Sequence, residues 1–145
     1  MDIAAALIGA LIGFLLAFVA QAFWGRKGQV LAHVNDYISD LDRVERLATD
    51  FWSVDQKSTS DAERAKLRAA THATALFLDE AENLLGDLSK EHEKLDFELF
   101  DAATGGDFDS SQRTADLKRV ERVIIACNQI RNLVRKARIR SFAAH

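Results

Sequence analysis

Four histidines, one cysteine and 22 carboxylates are the groups with which this 145-residue chain could do acid–base, nucleophilic or metal chemistry. The histidines, His33, His72, His92 and His145, stand far apart, and none belongs to an HExxH pair. His92 sits between Glu91 and Glu93, where a metal ion is conceivable, but that run reads as a solvated polar helix face. The twofold Glu-x-x-His of di-iron carboxylate bundles does not occur. Cys127 is the only cysteine, which excludes an internal disulfide and a cysteine zinc cluster. It falls among apolar residues at helical spacing and is expected to be a small core residue. Gly105-Gly106 follows a helical pattern instead of a strand, so it lacks the context of a phosphate-binding loop. No metal, cofactor or small-molecule substrate is expected.

One spacing resembles a known active site. Arg140-Ser-Phe-Ala-Ala-His145 has the RxxxxH form of HEPN ribonucleases, small helical bundles in which arginine and histidine of paired subunits converge on RNA. The resemblance covers six residues, and it implies that Arg140 and His145 would carry the cleavage. With twelve arginines and four histidines in the chain, composition alone supplies such a spacing. His145 is also the last residue of the sequence, where catalytic geometry is hard to hold. An enzyme, and binding of nucleic acid, are therefore the lesser expectation.

The elements that would position these groups are helices. Ile3 to Trp24 is a run of 22 residues without charge. As a helix it measures roughly 33 Å, against about 30 Å for a bilayer's hydrocarbon core. Ala20-Gln21-Ala22 has the small residues of a signal-peptide cleavage site. Met1-Asp2 lacks the basic residues that precede a signal core, so an uncleaved anchor is expected. Arg26 and Lys27 follow the run, and positive flanks stay inside, which puts the N-terminus outside and the rest of the chain in the cytoplasm. Ala5, Gly9, Gly13, Ala17 and Gln21 recur every four residues, a stripe of small groups ending in a hydrogen-bonding one and suited to packing against another membrane helix.

After Gly25 and Gly28, a hinge or part of one continuous helix, the pattern is that of a helical bundle. Val30, Val34, Tyr37, Leu41, Val44, Ala48 and Phe51 alternate spacings of three and four. A second helix begins at the capping box Ser60–Glu63, turns Ala62, Ala65, Ala69, Ala73, Leu76, Phe77, Ala81, Leu84 and Leu85 inward, and stops at Gly86. A third, shorter helix spans about Ser89 to Thr104 with Leu95, Leu99, Phe100 and Ala103 inward. A fourth, capped by Asp109, Ser110 or Ser111, runs to about Arg140 with Leu117, Val120, Val123, Ile124, Cys127, Ile130, Val134 and Ala137 inward. The chain has no proline and no sustained period-two alternation.

The expected fold is thus all-α: a transmembrane anchor and hinge over residues 1–28, then an antiparallel four-helix bundle over residues 29–145. The net charge of −3 indicates no partner, but its distribution is uneven. Residues 79–109 carry a net −9 and residues 122–145 a net +6. An antiparallel bundle would bring Arg135, Lys136, Arg138 and Arg140 to the same end as Arg26 and Lys27, for contact with lipid headgroups, unless the acidic helices pair with them. The function expected is that of a membrane-anchored interaction protein, a homo-oligomer or a small subunit of a larger membrane complex. A membrane-permeabilising effector, as in bacterial defence or toxin systems, is the second possibility, with Gln21 its sole polar lining.

Overall fold

The computed structural model describes residues 3–55 and 61–143; within these, the side chains of residues 3–10, 22, 23, 26, 27, 78–80, 82, 83 and 141–143 lie outside the description. The chain is all-helical: α1 (Ile3–Trp52), α2 (Asp61–Leu85), a 3-10 turn (Gly86–Leu88), α3 (Ser89–Thr104) and α4 (Leu117–Ala143), with no strand among the described residues. Gly25 and Gly28 lie within α1. Two compact units result, Met1–Asn35 and Asp36–His145.

The second unit is a bundle whose helix directions follow from its contacts. Tyr37 meets His92 and Trp52 meets the Ala103 carbonyl, so α1 and α3 advance together. Phe77 stacks on Tyr37, whereas Arg68 lies over Phe108, which packs against Phe51, so α2 runs the opposite way. On α4, Arg119 lies over Trp52 and Cys127 reaches the Leu41 carbonyl, so α4 is also antiparallel to α1. The α1 seam is in the core from Val34 on, with Tyr37, Leu41, Val44, Ala48 and Phe51 all buried, whereas Val30, expected to begin it, is 41% exposed. Val123, Cys127, Ile130, Val134 and Ala137 of α4 are buried too.

Helix α2 buries Phe77, Ala81 and Leu85 of its expected face but not the alanines that precede them. Its buried residues are Leu67, Ala70, Thr71, Thr74, Phe77, Ala81 and Leu85, whereas Ala62, Ala65 and Ala69 are exposed, Ala73 is half-buried and Leu76 is 65% exposed. Burial stabilises by about 25 cal/mol per Å² of apolar surface, so Leu67 outweighs a row of alanines in choosing the inward face of the first turns. The two threonines that come with it are satisfied locally: Thr71 donates to the Leu67 carbonyl at 2.7 Å and Thr74 to the Thr71 carbonyl at 2.8 Å. Phe100 and Leu117, expected inward, are 43% and 70% exposed.

The helix ends are explicit. Gly86, at φ 52°, turns the chain out of α2 in a conformation that costs side chains with a Cβ. The start of α4 is not where expected: Asp116, not Asp109, Ser110 or Ser111, is its cap, and Asp116 Oδ1 accepts from the amides of Lys118 and Arg119 at 3.1 Å each. Ser60 of the expected capping box lies outside the described residues.

Candidate functional site

The first feature is the N-terminal segment of α1. From Leu11 to Gln21 every side chain is exposed, on all sides of the helix, including Phe14 at 68%, Leu16 at 66% and Val19 at 63%. Gly13, Ala17 and Gln21 of the small-residue stripe belong to this stretch, and a methyl group placed on Gly13 would meet nothing within 4 Å. Ala5 and Gly9, the rest of the stripe, have side chains outside the described residues. Among the described residues no helix is long and apolar enough to cross a membrane. Of the uncharged run, the side chains of residues 11–21 and Trp24 are described.

The basic residues are dispersed in their engagements. Arg135 and Lys136 are exposed and Arg138 is half-buried, all within the last turns of α4. Arg140 donates to both carboxylate oxygens of Asp87, at 3.0 and 3.1 Å. The side chains of Arg26 and Lys27 are outside the described residues, as is His145, so Arg140 is the described half of the RxxxxH motif. Further along α4, Arg131 binds Asp42 and Glu45, and Arg122 binds Asp101, so α4 spends much of its charge on α1 and α3.

Inside the bundle is a polar cluster that the sequence conceals. His92, expected on a solvated face, is fully buried. Its Nε2 lies 2.8 Å from the Tyr37 hydroxyl, and the Tyr37 ring stacks on Phe77 with centroids 3.8 Å apart. Burial lowers the imidazole pKa to about 4 and, with the nearby charge of Asp96, raises that of the phenol. Both groups are therefore neutral at pH 7. With the ring proton on Nδ1, the hydroxyl donates to Nε2, and Nδ1 has no hydrogen-bond partner among the described residues. Burial also raises the Asp96 carboxyl and pushes the Cys127 thiol up to about 12, which leaves that sulfur a protonated core group. The spacing of His92, Leu99 and Ala103, seven then four, was the available sign that His92 faces inward.

At the other end, the connection from Gly105 to Asp116 folds onto Trp52. Arg113, 1% exposed, stacks 4.0 Å from the Phe51 centroid and donates to the Val54 carbonyl at 2.8 Å. Arg119 covers Trp52 at 4.9 Å and donates to the Asp101 carbonyl at 2.8 Å. These cation–π contacts bury much of two guanidinium groups against aromatic rings, with backbone carbonyls accepting from both and Asp116 lying 3.6 Å from Arg119 Nε. Their role is to close the bundle end.

On the surface, a groove of about 670 Å³ runs between α2 and α3, edged by His72, Ala75, Phe97 and Phe100 with Lys90, Lys94, Glu93 and Asp96 along its rim. Phe97 is 71% exposed. Among the described residues no group of three or more histidine, cysteine or carboxylate side chains is placed to hold a metal ion. No protein-family model, curated protein or solved structure matches the chain.

Proposed function

We propose that this chain is a non-enzymatic, membrane-anchored interaction protein. Its N-terminal helix inserts in a bilayer, and its helical bundle meets a partner on the cytoplasmic side. The observation that carries this reading is the stretch from Leu11 to Ala20, apolar around the whole circumference and exposed around the whole circumference. A helix of that kind belongs in a core or in lipid, because in water it has no favourable face. Seven large side chains there, Leu11, Ile12, Phe14, Leu15, Leu16, Phe18 and Val19, are each more than half exposed. Their transfer from water contributes on the order of 10–20 kcal/mol. Lipid also demands that every backbone amide be paired, which a helix does by itself. The orientation rests on Arg26 and Lys27 after the run, and Gly13, Ala17 and Gln21 offer a close-packing stripe to a second membrane helix.

The test is extraction of membranes from cells making the full chain. The protein should stay with the pellet in alkaline carbonate and dissolve only in detergent. The double substitution Leu15→Arg, Leu16→Glu should move it to the soluble fraction. Release of the unaltered chain by carbonate alone refutes the anchor.

A further inference from the structure

We draw no further inference here: the strongest candidate, the exposed apolar groove between α2 and α3 edged by Phe97 and Phe100, carries nothing because nothing in the structure shows what covers it.

Discussion

Replacing both Tyr37 and His92 by apolar residues, as Tyr37→Phe with His92→Leu, should remove a specific part of the pH dependence of stability. Burial holds the folded-state pKa of His92 at about 4, against 6.5 for an unperturbed imidazole. Above pH 6.5 the ring is neutral in both states, and the buried pair contributes fully. Between 6.5 and about 4 the unfolded chain takes up a proton that the folded chain refuses, so stability falls as the pH falls. Below about 4 both states are protonated and the contribution is gone. That gap amounts to about 3 kcal/mol. Asp96 acts with the opposite sign. Burial raises its carboxyl above 3.8, so it favours the folded state in acid and loses that contribution as the pH rises through its folded value. It therefore flattens the wild-type curve, and Asp96→Asn is the background in which the imidazole is best seen. The assay is urea unfolding of the full chain in neutral detergent, followed by helix circular dichroism, from pH 4 to 7.5. At pH 7.5 the double variant should be nearly as stable as its parent, because removing both partners leaves no orphan group. From pH 6.5 to 4 the parent should lose up to about 3 kcal/mol more than the variant. If the two curves run parallel over that window, the imidazole is not protected from protonation and the account of this cluster is wrong.

Cys127 should react with a maleimide no faster than the chain unfolds, since its sulfur is buried and its thiol is pushed up to about 12; labelling within minutes under native conditions contradicts this placement. Arg113→Met should destabilise the bundle by about 2 kcal/mol through the lost bond to the Val54 carbonyl and a lost cation–π contact. Arg113→Lys should recover only part of that, because an ammonium does not stack flat on the Phe51 ring. A melting temperature equal to wild type for Arg113→Met refutes the stabilising role.

The fold was legible where large residues set the period. Tyr37, Leu41, Val44 and Phe51 fixed the buried side of α1, and Ser89 to Thr104 matches α3 end to end. It was misread where small residues set the period. The alanines of α2 have the right spacing for an inward face, yet Ala62, Ala65 and Ala69 lose to Leu67 because burying a methyl gains little, whereas Phe77 and Leu85 of the same expected face are buried. Polar core residues were invisible for a related reason. Thr71, Thr74, His92 and Arg113 each bond to a partner remote in sequence or to a backbone carbonyl, and composition does not announce either. Of the candidate surfaces, the N-terminal apolar run was plain from its length. The groove beside Phe97 was not, since it exists only once α2 and α3 are set side by side.

The connection between α3 and α4 has a consequence for how the chain meets proteases. Connections of this length are ordinarily where cleavage begins, because a protease must draw several residues of extended backbone into its cleft. Here Phe108 and Arg113 are each 1% exposed, the Asp116 amide donates to the Trp52 carbonyl at 2.8 Å, and the Ala115 amide donates to Asp55 at 2.9 Å. The peptide bond after Arg113, a trypsin site by sequence, cannot be presented until Trp52 loses its cover. Cutting there therefore follows the opening of the bundle end, and the persistence of the intact segment under trypsin measures how rarely that end opens.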